Sequence, residues 1–403
     1  MYNVVMSQYV FILGREPDLS VAEISAVLEH AKINHTWLVI TSSYALFNAD
    51  LSKELLNKLA GTIKVAEVLG EVEQNSEVFS DFILRELNKT EGPCYLGFSA
   101  YDIKLPWLNK TGLHLKYLIK EQGRRARLVV SREAQLSSVV VAKNKLLTAS
   151  GFEFILLSRD GKLLVGRTIW VQPFEEWGMR DFGRPSRDAK SGMLPPKLAR
   201  MMINLSGALL EEKLLDPFCG SGTVLQEATV LGYKNLTGSD ITEQAIKDSE
   251  ENFQWLKKNN PLLNPVIKIL QADVFDLPNK FGIGSFDVIV TEPYLGPALS
   301  GRETKSDIIK IQKELTEFYI RVLKVFSDLL VLNGRVVMVW PSFRIGNEVI
   351  RLNLESELTK YSFKLKNILP ETAPASWLMS NNILTYSRPN QHVVREIVVL
   401  EKI

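Results

Sequence analysis

The sequence predicts an α/β protein whose C-terminal half is a doubly wound, mostly parallel sheet. Three observations support this fold class. From Pro195 onward, apolar runs of strand length alternate with amphipathic segments of helix length, which is typical of β-α-β units. A glycine-rich turn, Gly220-Ser-Gly222, follows the first of these runs. The 403 residues are 46% hydrophobic and 23% charged, which is ordinary for folded proteins and excludes wholesale disorder and collagen-like repeats.

Composition also excludes several functional classes. No apolar stretch approaches the roughly 20 residues that a bilayer crossing needs. The first residues lack the basic head and the small-residue cleavage site of a signal peptide. Two cysteines, Cys94 and Cys219, and four scattered histidines predict neither a disulfide framework nor a zinc site. We therefore expect a cytoplasmic protein that binds no metal and does not enter a membrane.

Residues 1–50 predict a small α+β unit. Tyr9–Leu13 is an apolar run of strand length, and two later short apolar runs predict two further strands. Ser20 and Glu23 have the spacing of a helical capping box and are followed by apolar residues at helical spacing. This pattern places one helix between the first and second strands.

Residues 51–170 predict a second α/β unit. Its expected strands are 61–68, 94–98, 128–130, 152–158 and 163–170, and its expected helices are 76–88 and 113–121. Gly123 follows the second helix closely, as a C-terminal capping glycine does. Residues 171–194 are rich in Pro, Gly, Arg and Asp and predict a linker, whose aromatic residues indicate that it packs on one domain.

Residues 195–403 carry the alternation of strands and helices. The expected strands are 213–215, 235–239, 267–271, 286–290 and 334–340, with a final antiparallel pair at 363–369 and 393–400. The expected helices are 197–205, 222–231, 243–258 and 307–330. Because a parallel sheet collects the carboxyl ends of its strands at one edge, this order predicts a ligand crevice there.

The net charge of +2 conceals a basic block in the middle of the chain. Residues 101–200 hold 19 basic and 9 acidic side chains, whereas residues 1–100 hold 7 and 13. A local cationic surface is what binding to a phosphate backbone requires, although a solvated basic face is equally consistent with the charge alone. The basic residues that we single out for phosphate contact are Arg124, Arg125, Arg127, Arg132, Lys143, Lys145, Arg180, Arg184, Arg187 and Lys190.

Four successive predicted strands end in polar residues. Asp216 ends the first strand and precedes the glycine turn, where the backbone at a helix N-terminus can approach a ligand closely. Asp240 ends the second strand, where a carboxylate can accept hydrogen bonds from both hydroxyls of a ribose. Asp273 ends the third strand and can accept from an exocyclic adenine amine. The fourth strand ends in Thr291-Glu292-Pro293-Tyr294, and this order favours a nucleotide-like ligand over polar strand ends without function.

A dinucleotide site is the rival interpretation of the glycine turn. NAD-binding turns have the pattern Gly-x-Gly-x-x-Gly, and the third glycine position is Leu225 in this sequence. A Gly-x-Gly pair alone is weak evidence, since many such pairs are only tight turns. The aspartates at the strand ends are therefore stronger evidence for a nucleotide-like ligand than the glycines are.

Residues 195–403 resemble the class I S-adenosylmethionine-dependent methyltransferases of the amino-methylating type. The resemblance is carried by Asp216-Pro-Phe-Cys-Gly-Ser-Gly-Thr223 and by Thr291-Glu-Pro-Tyr294, which stands in the place of the family's Asp/Asn-Pro-Pro-Tyr/Phe motif. The whole chain resembles the THUMP-domain tRNA guanine-N2 methyltransferases that act at guanine 10. Further segments that resemble this family are 13–17, 61–65, 136–145 and 193–205.

The resemblance implies a fold, a cofactor, a partner and a set of site residues. It implies a seven-stranded, mostly parallel Rossmann-like domain over 195–403, a THUMP-like RNA-binding domain over 51–170 and a ferredoxin-like part over 1–50. The implied cofactor is S-adenosylmethionine, the implied partner is tRNA, and the implied reaction methylates the exocyclic N2 amine of a guanosine. The implied cofactor-binding residues are Asp216, Phe218, Cys219, Gly220, Ser221, Gly222, Thr223, Asp240, Ile241, Asp273 and Val274. The implied catalytic residues are Thr291, Glu292, Pro293 and Tyr294, with Tyr294 stacking on a base flipped out of its helix.

One departure from the family motif bears on the chemistry. Thr291 occupies the acid or amide position, and a carboxylate, Glu292, follows one residue later. We expect Glu292, Thr291 or a carbonyl of Glu292 or Pro293 to hold the amino protons of the target base. Two alternatives remain open, a DNA methyltransferase acting on adenine N6 or cytosine N4 and an RNA-binding protein that has lost catalysis. A thiol nucleophile at Cys219 is disfavoured, because the resemblance gives this residue a packing role.

Overall fold

The computed structural model describes residues 6–187, 193–346, 348–378, 383–388 and 391–403. These residues form two compact units. The first unit contains the described residues up to Pro17, together with Lys32–Asn57 and Thr62–Phe174. The second unit contains Asp18–Ala31, Lys58–Gly61 and the described residues from Glu175 onward. No helix among the described residues is both long and apolar enough to cross a membrane.

The strands of the first unit form one eight-stranded sheet. In chain order, the elements up to residue 182 are β1 (Ser7–Leu13), α1 (Pro17–His30), β2 (His35–Ile40), β3 (Tyr44–Ala49), α2 (Lys53–Leu56), β4 (Thr62–Glu73), α3 (Ser76–Leu87), β5 (Cys94–Tyr101), α4 (Leu108–Glu121), β6 (Ala126–Val129), α5 (Ser138–Lys143), β7 (Gly151–Arg159), β8 (Lys162–Val171) and α6 (Phe174–Phe182). The strand order is β2-β3-β1-β4-β8-β7-β5-β6. All pairs are antiparallel except β5 with β6 and β5 with β7.

This sheet joins segments that the sequence predicts as separate parts. β1 pairs with β4, with Tyr9 opposite Glu67, so the boundary expected at residue 50 falls inside a continuous sheet. One face of the sheet is covered by α3 and α4, whose Phe79, Ile83 and Leu115 pack in the same buried cluster as Phe154. Burial of such side chains is the main stabilising contribution to a layer of this kind.

A buried ion pair fixes one loop of the first unit. Lys64 on β4 pairs with Glu153 on β7, and both side chains are almost fully buried. The Lys64 ammonium also donates to the carbonyl of Leu136 at 2.5 Å, while Ser99 and Thr168 donate to the Glu153 carboxylate at 2.6 and 2.7 Å. A buried charge pair is tolerated when such hydrogen bonds satisfy it. The pair therefore anchors the segment that leads into α5.

The capping box predicted at Ser20 and Glu23 is wrong. Helix α1 begins at Pro17, three residues before Ser20, because a proline at the first helical position costs no hydrogen bond. The Ser20 hydroxyl instead donates to the carbonyl of Gly61 at 3.0 Å. The Glu23 carboxylate accepts from the backbone N–H groups of Ala60 and Gly61, at 2.9 and 2.7 Å, and from the Asn204 amide at 2.7 Å. Both side chains therefore bind α1 to other parts of the second unit.

The second unit contains the doubly wound sheet. Its further elements are α7 (Pro196–Ser206), β9 (Lys213–Asp216), α8 (Thr223–Leu231), β10 (Asn235–Asp240), α9 (Glu243–Asn259), β11 (Val266–Gln271), α10 (Leu277–Phe281), β12 (Phe286–Thr291), α11 (Lys305–Leu329), β13 (Leu330–Ile345), β14 (Glu348–Ile350), α12 (Glu355–Leu358), β15 (Phe363–Leu365), α13 (Ala375–Leu378), β16 (Leu384–Tyr386) and β17 (Val393–Lys402). The main strand order is β11-β10-β9-β12-β13-β17-β15.

The predicted fold class of the second unit is confirmed. The first five strands of the main order are parallel, β17 pairs antiparallel with β13, and β15 pairs antiparallel with β17. Two short strands, β14 and β16, pair with β13 and β17 and add to the predicted seven. One buried cluster packs α11 against this sheet and includes Tyr319, Phe326, Trp340 and Phe343. The parallel order places the carboxyl ends of β9, β10 and β12 at one edge.

Candidate active site

An open cavity of about 1000 Å³ lies at the carboxyl ends of the parallel strands in the second unit. The predicted cofactor residues that line it are Asp216, Phe218, Cys219, Gly220, Ser221, Thr223, Asp240, Ile241, Asp273 and Val274. Glu292, Pro293 and Tyr294 line it as well. Gly222 and Thr291 are buried and are not among the lining residues. The structure therefore brings the two sequence motifs together in one cavity.

The glycine loop joins β9 to α8 and forms one end of the cavity. Gly220 and Gly222 both have left-handed backbone conformations, with φ of 50° and 82°, which favour glycine. A Cβ atom at Gly222 would lie 2.4 Å from the Ser249 hydroxyl, whereas one at Gly220 would meet nothing within 4 Å. Gly222 is therefore required by packing, while Gly220 leaves open space beside the first turn of α8.

Asp240 stands at the end of β10, at the edge of this loop. Its carboxylate accepts from the Gly220 N–H at 3.1 Å and from the Thr242 N–H and hydroxyl at 3.0 and 2.9 Å. Each carboxylate oxygen has two lone pairs, so these contacts orient the group without exhausting it. Asp273, after β11, is held similarly by the Phe275 N–H at 3.0 Å. Both aspartates are partly exposed and line the cavity.

Asp216 and Thr291 form a buried pair between β9 and β12. The Thr291 hydroxyl donates to the Asp216 carboxylate at 2.6 Å, and the Phe218 N–H donates to the same oxygen at 3.3 Å. Burial raises the pKa of Asp216 to about 7, although the hydrogen bonds from Thr291 and Phe218 oppose that rise. Thr291 is fully buried. The structure thus contradicts Thr291 as an acceptor for the amine of the target base, because its side chain is packed against Asp216 rather than lining the cavity.

Glu292 is paired with an arginine that sequence reasoning missed. The Arg395 guanidinium on β17 donates through Nε and Nη2 to the two Glu292 carboxylate oxygens, at 2.5 and 3.2 Å. Both residues line the cavity. Burial raises the pKa of Glu292, and the charge of Arg395 opposes this rise. The signal in the sequence was a charged pair, Arg395-Glu396, inside the otherwise apolar run 393–400.

Tyr294 presents its side chain at the mouth of the cavity. It is 57% exposed and lines the cavity. The backbone is fixed, because the Tyr319 hydroxyl donates to the Tyr294 carbonyl at 3.2 Å. A fixed backbone with an exposed ring is the geometry that stacking on a base needs.

Most of the predicted phosphate-contact residues of the first unit are exposed. The exposed ones are Arg125, Arg127, Arg132, Lys143 and Lys145. Arg124 is only partly exposed, and its guanidinium donates to the carbonyls of Gly92 and Leu87 at 2.8 and 3.0 Å. Arg125 and Arg127 lie at the edge strand β6 of the sheet, and Lys143 ends α5. The exposed residues are therefore open to a polyanion, whereas Arg124 is engaged in the fold.

The structure contradicts Arg180 and Arg184 as phosphate contacts. Both are buried in the second unit, at 4% and 3% exposure. Arg180 pairs with Glu227 at 2.7 Å, and Arg184 donates to the Thr223 hydroxyl at 2.7 Å. Charged side chains engaged in this way stabilise the fold and are closed to an external phosphate.

The predicted linker is largely folded. Its helix α6 buries Trp177, whose ring centroid lies 4.5 Å from the guanidinium carbons of both Arg180 and Arg200. Such cation–π contacts add to the packing of the segment on the second unit. Two further residues of this segment are predicted phosphate contacts. Arg187 is exposed, and Lys190 lies outside the described residues. Within the described ranges, no group of three His, Cys, Asp or Glu side chains is arranged to hold a metal ion.

Comparison with known proteins identifies the family. Residues 184–365 match the family model of the RMKL-like methyltransferase domain. A tRNA (guanine(10)-N2)-dimethyltransferase of Pyrococcus abyssi is 27% identical over 345 residues, covering 83% of this chain and 88% of that protein. A probable tRNA (guanine(10)-N2)-dimethyltransferase of Methanothermococcus thermolithotrophicus is 34% identical over 165 residues, covering 41% of this chain and 94% of that protein.

A solved structure shares the fold. The crystal structure of TrmN from Thermus thermophilus aligns with a TM-score of 0.56 at 16% identity, covering 98% of this chain and 100% of that one. This likeness supports the architecture, and the sequence relatives supply the family. The chain belongs to the family of the tRNA (guanine(10)-N2)-dimethyltransferases.

Proposed function

We propose that this protein transfers a methyl group from S-adenosylmethionine to the exocyclic N2 amine of a guanosine in tRNA. The observation that carries the proposal is that the glycine loop, Asp240 and the segment Glu292–Tyr294 line one cavity of about 1000 Å³. Ligand pockets of roughly 300–1,000 Å³ enclose drug-sized molecules, so this cavity has room for a cofactor beside a base. The relatives are named for guanine 10, and we propose the same position.

The cofactor end fits S-adenosylmethionine. The open space at Gly220 lets a ligand approach the loop backbone, and Asp240 presents carboxylate oxygens of the kind that hold ribose hydroxyls. In this proposal Asp273 and the backbone beside Val274, which line the same cavity, bind the adenine. When bound, S-adenosylmethionine supplies an electrophilic methyl group on a sulfonium sulfur.

The acceptor end fits an aromatic amine. The lone pair of guanine N2 is delocalised into the ring, so the nitrogen is a weak nucleophile until hydrogen-bond acceptors hold its protons and aim it. Glu292 supplies a carboxylate at the cavity, and the Pro293 carbonyl is a second acceptor. In the transfer an N2–C bond forms as the methyl–sulfur bond breaks, and one N2 proton leaves through the carboxylate or water. Tyr294 stacks on the flipped base.

The first unit supplies the tRNA-binding surface in this proposal. Its exposed cations lie on the edge strand β6 and around α5, where the buried Lys64–Glu153 pair anchors the preceding loop. Folded RNA is bound largely through its phosphates and its shape. We propose that residues 51–170 act as the THUMP-like module and that residues 195–403 carry the chemistry.

An RNA-binding protein without catalysis is the second candidate. The observation that favours it is Thr291, which stands at the acid or amide position of the family motif and is buried against Asp216. The retained loop and the carboxylate at Glu292 favour the enzyme instead.

Nucleoside mass spectrometry tests the proposal. The purified protein is incubated with S-adenosylmethionine and unmodified tRNA transcripts, with duplex DNA as a parallel substrate. The proposal predicts N2-methylated guanosine in tRNA alone. Methylated adenine or cytosine in DNA would overturn it in favour of a DNA enzyme, and cofactor binding without any product would favour the non-catalytic candidate.

A further inference from the structure

Glu292 and Arg395 form a charged pair inside the cavity wall. Their side chains are only 12% and 9% exposed, and both line the cavity. The pair joins residues 103 positions apart, one at the end of β12 and one on β17. A pair this buried costs desolvation, so a merely structural role would be served at least as well by apolar residues.

The guanidinium holds the carboxylate in a fixed plane. Nε and Nη2 of Arg395 each reach a different Glu292 oxygen, at 2.5 and 3.2 Å. This forked contact restricts rotation of the carboxylate more than a single point contact does. Arg395 is itself held in the sheet, because β17 pairs with β13 on one side and with β16 on the other.

The carboxylate keeps acceptor capacity toward the cavity. A carboxylate offers about four lone-pair positions, and the two contacts from Arg395 occupy two of them. Because the fork occupies the inner side of both oxygens, each oxygen keeps one outer lone pair, and a single oxygen can accept from two adjacent N–H donors of one base. Guanine presents such donors, N1–H and N2–H, on its Watson–Crick edge, whereas adenine and cytosine present a ring acceptor beside their amine.

We infer that Arg395 is a positioning residue, and that it holds Glu292 as a fixed, charged acceptor which selects guanine through its N1–H and N2–H groups. This inference rests on the proposed function and specifies how its base is chosen. It also explains why this chain has a carboxylate at Glu292, one residue after the usual motif position.

The electrostatic surroundings make Glu292 dependent on its partner. The charged and titratable groups around Glu292 are Arg395 on β17, Asp216 on β9 and Tyr319 on α11, while Tyr386 on β16 lies near Arg395. Among the described residues, Arg395 is the cation that contacts Glu292, so its removal leaves burial to raise the pKa of Glu292 further. A protonated Glu292 carboxyl would place an O–H donor against the N–H donors of guanine, and the base would bind less tightly.

The first test compares pH profiles of single-turnover methyl transfer for the wild type, Arg395→Gln and Arg395→Lys. We expect Arg395→Gln to reduce the rate about 10- to 100-fold at neutral pH, as for a lost charged hydrogen bond, and to move the acid limb of the profile to higher pH. Arg395→Lys, which keeps the charge without the fork, should restore part of the rate and most of the acid limb. An unchanged rate and profile in Arg395→Gln would overturn the inference.

The second test reads base selection directly. A tRNA assembled with 2,6-diaminopurine at the mapped target keeps the N2 amine but has an acceptor at N1. The wild type should methylate guanosine far better than diaminopurine, and Glu292→Gln, whose amide can donate to N1, should narrow that preference at least about 10-fold. A preference that Glu292→Gln leaves unchanged would contradict the inference.

A matched control separates this role from folding. Arg335, on β13 of the same sheet, also pairs with a glutamate, Glu212. Arg335 does not line the cavity. Arg335→Gln should leave the pH profile and the base preference unchanged, and calorimetric cofactor binding by every variant reports an intact fold. A wild type that makes no N2-methylguanosine would overturn the proposed function and this inference together. An active wild type with an unaffected Arg395→Gln would overturn the inference alone.

Discussion

The cavity has two ends, one at the glycine loop and one at Glu292–Tyr294, and different groups line them. At the cofactor end the wall includes the glycine loop, whose Gly220 has a left-handed backbone, and two aspartates, Asp240 and Asp273, that neighbouring N–H groups orient. At the acceptor end the wall is made of side chains, the charged pair Glu292–Arg395 and the exposed ring of Tyr294. We propose that backbone shape limits which ligand fits at the first end, whereas charge and ring contacts select the ligand at the other. The two ends should therefore respond to different substitutions.

The acceptor end should be the more sensitive in catalysis. Glu292→Ala removes the carboxylate and leaves the buried Arg395 without its partner. We expect a loss of about 10²–10³-fold in the single-turnover rate, as for removal of an active-site hydrogen-bonding group. Rapid-quench measurement of methyl transfer to tRNA checks this. A rate within threefold of the wild type would break the comparison, because the acceptor end would then not depend on its charge.

The cofactor end should be the more sensitive to added volume. Gly222→Ala places a methyl group 2.4 Å from the Ser249 hydroxyl at a φ of 82°. We expect the second unit to lose about 3 kcal/mol of stability, from overpacking and the left-handed conformation together. Thermal unfolding followed by tryptophan fluorescence measures it. Gly220→Ala is the matched control, with the smaller loss of about 1 kcal/mol, since its methyl group meets nothing within 4 Å.

Thr291 belongs to neither end, because its side chain is buried against Asp216. Thr291→Val keeps the shape of the side chain and removes the hydrogen bond to Asp216. We expect a stability loss of about 1–2 kcal/mol and a further rise in the pKa of Asp216, with the rate of transfer reduced less than tenfold. Urea titration and single-turnover kinetics check both effects. A loss of rate as large as that of Glu292→Ala would make Thr291 the acceptor after all.

The smallest expected effect lies in the first unit. Replacing Arg125 and Arg127 with Ala should reduce the salt dependence of tRNA binding by about two phosphate contacts and leave cofactor affinity unchanged. Filter binding over a range of salt concentrations measures the slope. Arg180→Ala is the contrasting variant, because that buried residue should lower stability without changing the slope. Equal slopes for the wild type and the double variant would contradict the proposed surface.

The same contrast explains which features of the site could be predicted from the sequence. The glycine loop and the strand-end aspartates were predictable, because a strand, a turn and a helix N-terminus are set by residues close together in the chain. Arg395 was not predictable as the partner of Glu292, since 103 residues separate them and only the sheet order brings β17 near β12. The family likeness supplied the motif at Thr291 but could not show that its side chain turns to Asp216.

Charge in the sequence was similarly ambiguous. Arg125 and Arg180 both belong to the basic block, yet one is exposed at a sheet edge and the other is buried against Glu227. The predicted capping box failed for a related reason, because Ser20 and Glu23 bind distant backbone groups instead of their own helix. Local spacing predicts elements well, but the partner of a polar side chain is decided by tertiary contacts.

The calorimetric affinity of Glu292→Ala for S-adenosylmethionine tests the central claim, that the cavity has two separable ends. Because we propose that the cofactor contacts the glycine loop, Asp240 and Asp273, which line the cavity, we expect a Kd within about twofold of the wild type, a difference below roughly 0.5 kcal/mol. The same variant should transfer methyl groups far more slowly. A cofactor affinity weakened by tenfold or more would contradict the account, because Glu292 would then belong to the cofactor site and not to the site of the base.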